Sequence, residues 1–178
     1  MVGMRSVRIF TLVALAVALA ACEEDPLKSR MPEAPPPPSR GVQAFIQVNQ
    51  TDAATGDEVQ VFVRVQLGTD TGAKLGSYTG RLAFDPAFLA FKSETKISDG
   101  LRVSNPNGAG EGELRFAGAA AAGFTDLTIF AGVFEVKKPG YADILKLNME
   151  ELSAALTLTD LTPGLDQPPQ IFLRPTAN

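Results

Sequence analysis

GDEVQVFVRVQL, residues 56–67, carries the period that decides the fold. Val59, Val61, Val63, Val65 and Leu67 fall on one side of an extended chain, with Gln60, Phe62, Arg64 and Gln66 on the other. Side chains of a strand alternate between faces, so this stretch reads as a strand with one buried side. Helical spacing would scatter the valines around a cylinder, and β-branched residues at alternate positions weaken a helix further.

The same alternation extends in both directions. VQAFIQV (residues 42–48) puts Val42, Ala44, Ile46 and Val48 on one face, and YTGRLAF (78–84) puts Tyr78, Gly80, Leu82 and Phe84 opposite Thr79, Arg81 and Ala83. Further strands are expected at Leu101–Ser104, Glu113–Gly118, Leu127–Lys137, Ile144–Met149 and Leu152–Asp160. Turn-forming stretches separate them: TDAATGD, GTDTGAKLG, NPNGAGEG and KKPGYAD. AGAAAAG (117–123) has helical propensity but is short and sits between strands, so it reads as a strand end entering a loop. The pattern predicts an all-β, antiparallel β-sandwich of about nine strands. One domain over residues 41–162 is long enough to bury a stable core, leaving a tail over 163–178.

The order of four pieces resembles the cohesin family. They are GDEVQVFVRVQL, then YTGRLAFDPAFLAFKS, then GELRFAGA, then LTIFAGVFEVK. Cohesins carry a Gly-Asp-x-Val strand, an aromatic-Asp-Pro-x-x-Leu-x-aromatic corner, a Gly-x-(Ile/Leu)-x-Phe-Ala strand and a Phe-x-Val-Lys strand. The corner here is Phe84-Asp85-Pro86-Ala87-Phe88-Leu89-Ala90-Phe91. Pro86 pre-sets a turn dihedral, and Asp85 is placed to accept from amides just beyond it, which is turn chemistry rather than catalysis. The likeness spans about residues 42–162, and related carbohydrate-binding modules share several of the same elements.

The resemblance implies a jelly-roll sandwich that binds a dockerin-type protein through one sheet face. That sheet is expected to include the strands at 77–84, 113–118, 127–136 and 152–159. Parity then points Ser77, Thr79 and Arg81 outward on the first and Glu113 and Arg115 on the second. The third is apolar on both sides, so Ile129 and Val133, with Ala131, are expected as an exposed stripe or as a surface covered by a loop or the tail.

The chain's single cysteine, Cys22, lies far from this domain. Arg5 and Arg8 precede the apolar run IFTLVALAVAL (9–19), which has the plan of a secretory signal and is short for a transmembrane span. Leu19-Ala20-Ala21-Cys22 resembles the lipobox of bacterial lipoproteins. That implies diacylglycerol on the Cys22 thiol, cleavage between Ala21 and Cys22 and acylation of the new amino terminus. Residues 1–21 are thus expected as the signal peptide. No other cofactor is expected. The product would sit in the cell envelope, lipid-anchored, on the outer membrane in a two-membrane organism.

Residues 22–40 form the tether, with six of the chain's thirteen prolines between Glu23 and Arg40. Polyproline II geometry at about 3.1 Å per residue gives such a spacer a reach of roughly 55 Å.

Composition narrows the function classes. Removal of Arg5 and Arg8 with the signal takes the formal charge from −4 to −6, and no basic cluster remains, which argues against nucleic acid. There is no histidine and no cysteine in the domain, so a thiol–imidazole pair is excluded. The acidic pairs Asp57-Glu58, Glu111 with Glu113, and Glu150-Glu151 fall at turns or strand edges, where solvated charge is the default rather than a glycosidase pair. TDLTPGLDQ (159–167) lacks the ligand spacing of a calcium loop. A protein-interaction module is the first reading. A polysaccharide-binding module is the second, with Tyr141 the better exposed tyrosine by its turn position, and a structural spacer remains open.

Overall fold

The computed structural model describes residues 34–166. Nine strands follow in order: β1 (Val42–Val48), β2 (Glu58–Leu67), β3 (Leu75–Ala83), β4 (Leu89–Glu94), β5 (Leu101–Asn105), β6 (Glu113–Ala119), β7 (Thr128–Val136), β8 (Lys146–Ala154) and β9 (Leu165–Asp166). They form two sheets, a five-stranded β4-β7-β2-β1-β9 and a four-stranded β5-β6-β3-β8. All pairings are antiparallel except β1 with β9. This is the all-β sandwich that the alternation predicts.

The registers explain the core. β1 lies on β2 with Ala44 opposite Val65 and Ile46 opposite Val63, so the alternate apolar residues of both strands share one face. They meet Tyr78 and Leu82 of β3, Leu114 and Phe116 of β6, and Phe130, Phe134 and Val136 of β7 in one buried cluster. The 84–91 corner closes one end of it. The Asp85 carboxylate accepts from the Ala87 amide at 2.8 Å, and Phe84 and Phe91 both meet Phe134 edge-on, with centroids 5.2 and 5.4 Å away.

Three expectations need correction. The stretches 144–149 and 152–160 do not make two strands; Lys146–Ala154 is one strand, preceded by a 3-10 turn at Tyr141–Ile144. Met149 and Leu152 are three apart and would face opposite ways on a regular strand. The register opposite β3 shifts between Thr79 and Gly80, leaving Glu150 as an extra residue, and this bulge returns both Met149 and Leu152 to the core. Residues 155–159 then form a turn in which Leu156 and Leu158 are exposed at positive φ, 65° and 55°. Tyr141 is not exposed: it is fully buried, its hydroxyl donating to the Gln50 carbonyl at 2.7 Å. Finally, Leu165–Asp166 pair with β1, so the sandwich continues into the stretch expected to be tail.

The signal segment, the tether up to residue 33, Ala21 and Cys22 lie outside the described residues. Among the described residues no helix is long and apolar enough to cross a membrane.

Candidate functional site

Each strand of the four-stranded sheet sends one set of side chains into the core and the other outward. β3 pairs with β6 so that Ser77 meets Ala119, Thr79 meets Ala117 and Arg81 meets Arg115. β5 adds Leu101 beside Ala119, Val103 beside Ala117 and Asn105 beside Arg115. On the other flank β8 sets Glu151 against Thr79 and Asn148 against Arg81. Ser77, Thr79, Arg81, Glu113 and Arg115 are therefore brought together on one outer face, as expected.

That face is divided by chemistry. At one end Leu101 and Val103 stand 69% and 58% exposed beside the small side chains of Ala117 and Ala119. At the other end Arg81 and Arg115 lie directly opposite each other, which repulsion alone would forbid. Carboxylates resolve the conflict. Glu113 accepts from Arg115 Nε at 2.7 Å and lies 3.8 Å from Arg81 Nη1, while Glu150, the bulge residue, pairs with Arg81. The Arg115 hydrogen bond, with both guanidinium charges adding to it, holds the Glu113 carboxyl below the usual carboxylate range. The same bond pushes the Arg115 guanidinium up. These groups are solvent-screened, so their weight lies in fixed orientation more than in stability. An exposed apolar patch grading through hydroxyls into an ordered charge cluster has the chemistry of a protein-contact surface.

Ile129 and Val133 do not belong to it. β7 sits in the five-stranded sheet, on the far side of the sandwich from β3 and β6. Ile129 is 2% exposed and packs in the core, at a bulge between the Val63 and Arg64 pairings. Val133 is half-buried across from Gln60. The expected exposed stripe on β7 is therefore wrong, because β2 hydrogen-bonds to β7 and takes it into the other sheet.

The residues that sequence reasoning missed are Leu101 and Val103. LRVSN is expected only as a strand, with no face assigned, and the structure turns β5 so that Arg102 points in. Its side chain, only 7% exposed, donates to the carbonyls of Thr128 (2.7 Å), Asp126 (3.2 Å) and Asp99 (2.6 Å) and to the Tyr78 hydroxyl (3.1 Å). It also lies over the Phe124 ring, 4.5 Å from its centroid. An inward arginine that makes four hydrogen bonds leaves the strand's aliphatic residues to face solvent. Beside the far end of β8, a groove of about 580 Å³ runs between Thr71–Lys74 and Ala154–Thr159, with the exposed Leu156 on its wall.

No protein-family model matches this chain, and no curated protein matches it. Solved structures do. A cohesin in a type I cohesin–dockerin complex from Clostridium thermocellum superposes with a TM-score of 0.53 at 15% identity, covering 71% of this chain and 94% of that one. The seventh ScaB type I cohesin of Pseudobacteroides cellulosolvens gives 0.52 at 14% identity, covering 78% and 96%. A non-cellulosomal cohesin from the archaeon Archaeoglobus fulgidus gives 0.50 at 17%, covering 74% and 86%. The sandwich thus has the fold of cohesin modules.

Proposed function

We propose that this chain is a bacterial lipoprotein whose sandwich is a non-catalytic protein-interaction module. The observation that carries the module is the outer face of β5-β6-β3-β8, where Leu101 and Val103 adjoin the Arg81–Glu113–Arg115–Glu150 cluster. The cohesin fold supports a dockerin-like partner, since one of the structures it resembles is a cohesin–dockerin complex. The Cys22 lipobox supports anchoring of the module to the cell envelope.

Sugar binding is the weaker reading. Glycan platforms stack sugars on open aromatic rings, and both tyrosines are buried. Among the described residues no aromatic side chain is fully exposed; Phe88 and Phe91 are half-buried.

Leu101→Asp separates the two. The side chain is already solvent-exposed, so the fold should survive, while a dockerin-type partner bound by the wild type should lose at least about tenfold in affinity by calorimetry, since burying a lone carboxylate is costly. Retardation of the wild type in polysaccharide affinity gels, with no dockerin bound, would replace this reading by the carbohydrate one.

A further inference from the structure

The turn that follows β8 keeps two large aliphatic side chains in water. Leu156 and Leu158 are 86% and 79% exposed, and both hold the positive φ that bulky residues avoid. The turn is nonetheless firmly tied. The Ala154 amide donates to the Thr159 carbonyl at 2.8 Å, the Leu158 amide to the Ala154 carbonyl at 3.1 Å and the Ala155 amide to the Lys74 carbonyl at 2.8 Å. Gly123 packs so closely on it that a Cβ there would lie 2.5 Å from the Lys74 Cβ and 3.3 Å from that of Ala155. Strained backbone persists where its surroundings hold it and its conformation is used. Two leucines pinned outward on a fixed turn are presented to something.

The place of the turn in the fold says what. It lies at the end of the sandwich where β2 finishes, β3 begins and β8 finishes. The first described residues pack at that same end. The Pro35 carbonyl accepts from Gln66 Nε2 at 2.6 Å, the Pro38 carbonyl from the Thr69 amide at 3.3 Å and the Gly41 carbonyl from the Gly68 amide at 2.7 Å. The loop receiving these contacts runs on into Thr71–Lys74, the groove wall across from Leu156. Cys22 lies twelve residues before Ala34, a span of at most about 37 Å at about 3.1 Å per residue. Lipid on Cys22 would therefore keep this end of the sandwich within reach of the bilayer.

Charge agrees with a lipid surface. Lys74 is exposed and has no ion pair among the described residues, whereas Asp70 and Asp160 accept from the Gly41 and Thr162 amides. An ammonium beside aliphatic side chains suits the boundary between phosphates and acyl chains. Two leucines alone hold a membrane weakly. A tether raises their local concentration to the order of millimolar, and a weak contact then fixes orientation.

We propose that the 155–159 turn is a membrane-contact tip, in which Leu156 and Leu158 enter the acyl boundary and Lys74 takes a lipid phosphate. The inference rests on the lipoprotein reading above. It stands the sandwich on its tether end and leaves the β5-β6-β3-β8 face open to the side.

The chain has no tryptophan and one thiol, and the test uses both facts. Residues 22–178 are coupled through Cys22 to a maleimide lipid in vesicles of phosphatidylethanolamine and phosphatidylglycerol with brominated acyl chains. Leu158→Trp reports the tip, and Asn107→Trp, exposed between β5 and β6 at the opposite end, is the control. Circular dichroism verifies folding, and Leu156→Trp serves if Leu158→Trp fails to fold. Bromine should quench the tip tryptophan at least about twofold and leave the control unchanged. Adding Leu156→Asp or Lys74→Glu to Leu158→Trp should relieve most of that quenching. Absence of quenching on coupled vesicles, or equal quenching at both ends, overturns the tip. So does a Leu158→Trp emission shift produced only by a dockerin-type protein, which would give the turn to the partner site. Because the anchor is supplied chemically, none of these outcomes touches the lipoprotein reading, which fatty-acid labelling in the cell tests separately.

Discussion

Arg102 shows how one side chain can set the orientation of a strand. Its guanidinium joins β5 to the start of β7 through the Thr128 and Asp126 carbonyls and caps the Tyr78 hydroxyl, which itself donates to the Ile129 carbonyl at 2.9 Å. Arg102→Ala would leave these buried acceptors without a donor and should cost about 2–4 kcal/mol in chemical denaturation. Arg102→Lys should recover less than half, because an ammonium cannot span the fork.

Asp99 completes the lock. Its carboxylate accepts from the Asp126 and Thr125 amides and the Thr125 hydroxyl, and the Asp126 bond leads in holding its pKa below the usual range. A carboxyl depressed by folding contributes stability above its unfolded pKa of about 3.9, and that contribution is lost as pH falls through the folded value. The melting temperature should therefore drop in acid below about pH 4. Asp99→Asn should be destabilised at neutral pH and show a shallower acid decline. An unchanged acid slope would mean the carboxylate is not held as described.

At the scale of elements, parity and bulge decide what each strand presents. Glu150 is unopposed on β3, and it lets Met149 and Leu152 both face inward while its own carboxylate reaches Arg81. Deleting Glu150 would leave Met149 and Leu152 two apart on a regular strand, both still facing inward, and would remove the ion pair with Arg81. The expected cost is under about 1 kcal/mol, read from the denaturation midpoint. Glu150→Ala keeps the bulge and loses the same surface ion pair, so it should cost about as little. A loss several times larger on deletion than on substitution would show that the bulge does more than restore the alternation of β8. β5 makes the complementary point. Its aliphatic residues face water because the inward position is occupied by an arginine that satisfies backbone carbonyls.

For the whole molecule, the arrangement proposed is an anchor, a tether and a sandwich with a contact face on one sheet. The lipid attachment is tested at its source. Cys22→Ser should abolish incorporation of an alkyne fatty acid and leave an unprocessed precursor, because lipid is added to the thiol and two or more acyl chains are what make an anchor durable. Equal labelling of both proteins would remove the anchor, while leaving the sandwich and its faces as described.

Local chemistry was enough for the class of fold. The alternating valines of β2, the 42–48 and 78–84 strands and the Asp85-Pro86 corner specify extended chain, an apolar side and a turn without reference to anything distant. The same parity placed Ser77, Thr79, Arg81, Glu113 and Arg115 outward, because β3 and β6 are regular over those residues. Where partners outside the segment mattered, the sequence was silent. Whether Ile129 and Val133 meet solvent depends on which strand takes β7 as its neighbour. Whether Leu101 or Arg102 faces inward depends on carbonyls 24 and more residues away. Tyr141 is buried because the Gln50 carbonyl, 91 residues distant, receives its hydroxyl. Period reports a residue's side of its own strand; only the tertiary structure decides what lies on that side.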